Sequence, residues 1–146
     1  MKIQDNTIQQ LIFIAGLAQL ALVAGSLAIP KVLDWHTGLA KLRPLLKQMF
    51  WTYAAYILVT NLCFGLISAF DFRDLANHST LAALITGFIA VYWISRVFIQ
   101  FFYFDRTDFP PGKWNKMAEI VLVTLFIFLS VIYSLALYAN LNPTLS

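Results

Sequence analysis

The stretch QMFWTYAAYILVTNLCFGLISAF, residues 48–70, runs for 23 residues without an Asp, Glu, Lys or Arg. A helix of about 20 residues, rising about 1.5 Å per residue, covers a bilayer hydrocarbon core of about 30 Å. Hydrocarbon offers no partner to an unpaired backbone N–H or C=O, so a segment of this kind crosses as a helix. Three more stretches meet the same test. Residues 8–29 carry no charge, residues 80–104 carry Arg96 alone, and residues 117–139 carry Glu119 alone, near the start. The sequence therefore predicts an all-α fold: a polytopic membrane protein in which four transmembrane helices, at about 8–29, 48–70, 80–104 and 117–139, form one bundle. Those spans take up most of the 146 residues, so residues 1–146 read as a single membrane domain.

Composition agrees. Hydrophobic residues make up 60% of the chain and charged residues 12%, against about 25% charged in soluble domains, and the mean hydropathy is +0.75. So few charges cannot coat a water-facing globule, which excludes a soluble enzyme, a disordered tail and an extended nucleic-acid surface. The first span follows Lys2 as a signal peptide would. It is longer than a signal h-region, and no cleavage site leads into a polar mature chain, so it reads as a retained helix. Cys63 is the single cysteine, which excludes an intramolecular disulfide and a multi-thiolate metal site within one chain.

Loop charges give the expected orientation. Lys31, Lys41, Arg43 and Lys47 precede the second span, and Arg106, Lys113 and Lys116 precede the fourth. Lys2 and Arg73 stand on the other side. Seven against two places loops 30–47 and 105–116 in the cytoplasm and both termini outside an inner membrane, an N-out/C-out topology. The same asymmetry accounts for a pI near 9.1 with no nucleic-acid partner. In the first loop, Leu39, Leu42 and Leu46 at helical spacing fit either a short amphipathic helix on the leaflet or a solvated connector, with Pro44 breaking it midway. Pro110-Pro111-Gly112 marks a turn in the third loop, and Trp114 is placed for the interface. The Asn77-His78-Ser79 sequon lies too close to the membrane to read as a glycosylation site.

Two faces stand out within the spans. Ala18, Ala21, Gly25 and Ala28 share a stripe of the first helix, and small stripes of this sort let helix backbones approach closely. That stripe is the expected packing face, and Gln19 projects from the opposite side, which fits either an interhelical hydrogen bond or a second contact surface. In the third span, Tyr92, Arg96, Gln100 and Tyr103 fall within roughly 80° of one another. Arg96 lies about 12 Å from the cytoplasmic edge of that span, where a guanidinium costs at least about 2.5 kcal/mol without a partner. In the second span Tyr56 lies at about the depth of Arg96 and Tyr53 at about that of Gln100, and the fourth offers Glu119 near the edge. The expected site is a polar cluster of Tyr53, Tyr56, Tyr92, Arg96, Gln100, Tyr103 and Glu119 in the cytoplasmic half. The alternative is that Arg96 snorkels as an anchor and the tyrosines are belt residues. Asn61, off the tyrosine stripe, is expected to make a helix–helix hydrogen bond.

Catalytic and cofactor motifs are missing. His36 and His78 fall on opposite sides of the membrane by the charge argument, so one subunit cannot bring both to a metal. No phosphate loop occurs, and no Ser or Cys stands in a nucleophile motif served by a histidine base. No cofactor and no metal is expected. The small four-helix multidrug exporters bury a glutamate in their first helix, and this first helix has none. The general pattern resembles small four-span proteins of bacterial inner membranes, a resemblance that carries no activity with it. The leading expectation is a non-catalytic protein that binds a lipophilic or anionic-headed ligand, or a partner subunit or second copy, in the cytoplasmic half. A small transporter or channel subunit is the first alternative, disfavoured by the apolar Leu66, Ile67, Leu84 and Phe88. A lipid-modifying enzyme is the second, for which Glu119, Asp105, Asp108 and His36 are the available groups.

Overall fold

A computed structural model describes residues 5–104 and 111–143. The described chain is all helical: α1 (Asp5–Ser26), α2 (Ile29–Val32), α3 (Trp35–Leu39), α4 (Pro44–Phe70), a 3₁₀ turn at Asp74–Ala76, α5 (Thr80–Phe102) and α6 (Lys113–Leu141). Four of these helices, α1, α4, α5 and α6, are long and apolar enough to cross a membrane. They coincide with the four uncharged stretches, and their ends follow local chemistry. Pro44 occupies the first turn of α4, where its fixed φ suits the helix and its missing N–H costs nothing. It therefore starts a spanning helix four residues before the expected boundary, and Leu46 and Lys47 belong to that helix. The first loop is accordingly no continuous amphipathic helix but two short ones. At α5, the Ser79 hydroxyl accepts from the Ala82 N–H at 3.0 Å, an N-cap that fixes the entry from the second loop. Gly112, at φ 135°, precedes α6, while the Pro110 part of the expected turn lies outside the described residues.

Around the bundle the order is α4, α1, α6, α5. The α1–α4 and α5–α6 pairs make the broad contacts, and α1 against α6 joins the two pairs. Between α4 and α5 the contact runs through aromatic rings, Phe64 against Phe88 and Tyr92 at 5.8 and 5.2 Å.

The face of α1 turned inward is the reverse of the expected one. Ala15, Gly16, Gln19 and Leu22 are buried, whereas Ala21, Gly25 and Ala28 are exposed. The cause is the Gln19 amide: its polar atoms need partners, and those partners lie inside the bundle, so the helix turns that side inward. Gly16 then permits the close crossing with α4, since a Cβ there would sit 2.5 Å from the Ala69 backbone nitrogen.

Packing is uneven along the bundle axis. In α4 the buried residues begin at Asn61, in α5 they end at Trp93, and in α6 they begin at Phe126. The tightly packed half is the one where α1 begins and α6 ends, called here the terminal end. Toward residues 27–43, where α5 ends and α6 begins (the loop end), α4, α5 and α6 bury no residue.

Candidate functional site

Arg96 stands where the packed half gives way to the open half, about 9 Å along α5 from Phe102. Its guanidinium carbon lies 5.4 Å from the centroid of the Phe126 ring on α6, a cation–π contact that takes up part of its charge. No ion pair or hydrogen bond reaches it among the described residues, and its Nε is enclosed without an acceptor. A guanidinium carries five N–H donors and accepts nothing, so one ring face leaves most of its hydrogen-bonding capacity unused.

Two more polar atoms beside it share that condition. Tyr92, one turn earlier, packs its ring edge-on against Phe64 and Trp93, each at 5.2 Å, and its hydroxyl has no partner. Asn61 of α4 is 5% exposed. Its amide lies beside the Tyr92 phenol, yet no hydrogen bond of acceptable geometry joins them and Oδ1 is unpaired. The expected helix–helix bond from Asn61 is therefore not made. An acceptor on α4, a hydroxyl and a cationic donor on α5 line one seam between these helices.

The remaining residues of the expected cluster divide in two. Gln100 and Glu119 come together, with Nε2 donating to Oε1 at 3.5 Å across the α5–α6 pair. Tyr53 and Tyr56 are 59% and 66% exposed and meet neither Arg96 nor any other ring. Tyr103 is 82% exposed at the end of α5, its ring beside Phe104. Arg96 thus stands between Tyr92, whose ring faces α4, and the Gln100–Glu119 pair on the α5–α6 side, and the three other tyrosines are exposed apart from this group. Among the described residues, no group of three His, Cys, Asp or Glu side chains is placed to hold a metal ion.

The most complete polar arrangement lies deeper, and sequence reasoning did not assemble it. Each spanning helix contributes one fully buried residue: Gln19, Ser68, Trp93 and Tyr133, all 0% exposed. Gln19 Nε2 donates to the Tyr133 hydroxyl, and Trp93 Nε1 donates to Gln19 Oε1 at 3.1 Å. The Ser68 and Tyr133 hydroxyls bond each other. No polar side-chain atom of these four is left enclosed without a partner, so the arrangement ties the helices together and offers nothing to a ligand. The amide of Gln19, deep in an uncharged span, is the one signal for it; its three partners look like ordinary span residues. At the terminal end, His78 is held by Asp5 of α1 and by Ala139 and Asn140 of α6. Compared with known proteins, the chain matches no family model, no curated protein and no solved structure.

Proposed function

We propose that this protein is a non-catalytic, multi-pass inner-membrane protein that holds a lipid with an anionic head against Arg96, at the boundary between the packed and open halves. The observation that carries this reading is the guanidinium itself: embedded in an apolar bundle, with one aromatic face beside it and no acid among the described residues. Placing an arginine at membrane depth costs about 2.5–3.5 kcal/mol on insertion scales. A phosphate or carboxylate oxygen offsets that cost through charge-assisted hydrogen bonds. The open loop-end halves of α4, α5 and α6 leave room for acyl chains beside the head. Gln100 and Glu119 would border the site one turn nearer the loop end. Tyr53, Tyr56 and Tyr103 would meet lipid at the interface rather than the guanidinium. In this reading, seven Lys and Arg against two put the loop end in the cytoplasm, where anionic headgroups are abundant.

The test is lipid analysis of protein purified in mild detergent. Wild type should retain anionic lipid, Arg96→Ala should lose most of it, and Arg96→Lys should retain part. Equal content in wild type and Arg96→Ala overturns the role given to Arg96. Orientation is read separately, in a Cys63→Ser background with single cysteines at Ser79 or Lys113. Impermeant thiol reagent should reach position 79 from outside, and cytoplasmic labelling there would reverse the topology.

A further inference from the structure

At the terminal end, one histidine is held from two sides by groups that can only accept. His78 has a left-handed backbone, φ 61°, a conformation that costs a non-glycine residue and persists only where the surroundings enforce it. Three hydrogen bonds enforce it. The His78 N–H donates to Asn140 Oδ1 at 3.1 Å. Ring Nδ1 lies 2.9 Å from the Ala139 carbonyl oxygen, and ring Nε2 lies 3.0 Å from Asp5 Oδ1. A backbone carbonyl is an acceptor only, and so is an ionised carboxylate. Both ring contacts are therefore hydrogen bonds only when the imidazole carries both protons.

The neutral ring has one N–H. With that proton on Nδ1, the Nε2 lone pair faces the Asp5 carboxylate oxygen; with it on Nε2, the Nδ1 lone pair faces the Ala139 carbonyl oxygen, so in either tautomer one attraction becomes repulsion. The charged form fits its setting in a second way. Asp5 occupies the first turn of α1, and Ala139 belongs to the last turn of α6. An anion at a helix N-terminus and a cation at a helix C-terminus each match the local dipole. Asn140 extends the same knot, with Nδ2 donating to the Leu75 carbonyl at 2.8 Å and to Thr86 Oγ1 at 3.3 Å. The second loop, α1, α5 and α6 thus meet around one ring that is 20% exposed.

We infer that His78 is a pH-operated latch: protonated, it locks the start of α1 and the second loop onto the end of α6, and neutral, it gives up one of its two ring holds, on Asp5 or on Ala139, and so unties α1 from α6. Asp5 is the one charged group contacting the ring among the described residues. Asp71, Arg73 and Asp74 of the same loop make no ion pair with it, and the Arg73 guanidinium lies over the Phe72 ring at 5.7 Å. Neither α5 nor α6 presents a charged side chain to it. Histidine changes charge between about pH 5 and 8. The latch is closed on the acid side of that interval, as long as Asp5 stays ionised, and opens as pH rises.

Two measurements test this on the full chain in lipid nanodiscs. Nitrogen-15 spectra of the labelled imidazoles, with His36→Gln removing the other histidine, should show both ring nitrogens of His78 protonated at about pH 5.5. Amide exchange over residues 5–10 and 72–78 is compared between wild type and His78→Gln at equal pH, which cancels the intrinsic pH dependence. The variant should exchange about tenfold faster at about pH 5.5, the size of one lost charged hydrogen bond, and at the same rate as wild type at about pH 8. A neutral ring at the lower pH, or a ratio that does not change with pH, overturns the latch. Should His78→Gln fail to fold, Asp5→Asn takes its place. It should exchange faster than wild type by a larger factor at the lower pH than at the higher, and no pH-dependent difference would again overturn the proposal.

Discussion

Tyr133 carries a hydroxyl on which Gln19 and Ser68 both rely. Removing it leaves the Ser68 hydroxyl without its partner and the Gln19 amide nitrogen with only the Ala15 carbonyl, at 3.3 Å. Single hydrogen bonds between spanning helices average about 0.6 kcal/mol, and a group left unsatisfied costs about 1–3 kcal/mol. Tyr133→Phe should therefore destabilise the bundle by about 1–2 kcal/mol, read from unfolding titrations in mixed micelles, with Ser68→Ala costing less because it orphans fewer partners. Arg96 should behave in the opposite way. Its charge meets a phenylalanine ring and no acid among the described residues, so Arg96→Leu should stabilise the protein by about 1–2 kcal/mol while abolishing retention of anionic lipid. If arginine served the fold as an anchor, the same substitution would lower stability and leave the lipid in place. The difficulty of seeing these sites beforehand is physical. Arg96 announces itself as a charge within an uncharged run, and Gln100 and Glu119 as polar groups toward the same end, while their pairing follows only from the α5–α6 contact. Which way Tyr53 and Tyr56 point depends on how α4 is rotated, and hydropathy says nothing of rotation in a helix that is apolar all round.

The α1–α4 crossing shows where such reasoning can go wrong for a whole helix. Ala18, Ala21, Gly25 and Ala28 form a smooth stripe, but smoothness only permits a close approach; it does not compel one. Gln19 compels, because an amide turned toward lipid has no partner, and the glycine that matters is the one beside it, Gly16. The two glycines of α1 should therefore respond differently to one added methyl. Gly16→Ala meets Ala69 N at 2.5 Å and the Ser68 carbonyl carbon at 2.8 Å, backbone atoms that cannot swing aside. It should cost about 1–3 kcal/mol. Gly25→Ala meets nothing within 4 Å and should be neutral or stabilising by up to about 1 kcal/mol from helix propensity. The same micelle titration reads both variants, and equal losses would mean that the small-residue stripe is an interface after all.

Over the entire bundle, these local devices add up to a gradient. The four-helix tetrad, the Gly16 crossing and the His78 knot all lie in the terminal half, and Phe126 and Trp93 close the core at 5% and 0% exposure. The other half of α4, α5 and α6 buries no residue. A membrane protein cannot rely on expulsion of water to hold helices together, since lipid is as apolar as leucine. Packing and hydrogen bonds must do it, so stability should follow their distribution along the axis. Two positions in α6 test this with the same residue size. Leu129→Ala, at a fully buried site, opens a cavity among side chains from the other helices and should cost about 2–4 kcal/mol. Ile120→Ala, 57% exposed near the loop end, gives up contacts that lipid replaces and should cost less than about 0.5 kcal/mol. Equal costs at the two positions would mean that the loop-end halves are closed in the membrane, by this chain or by another, and that no open flank remains beside Arg96 for a lipid to enter.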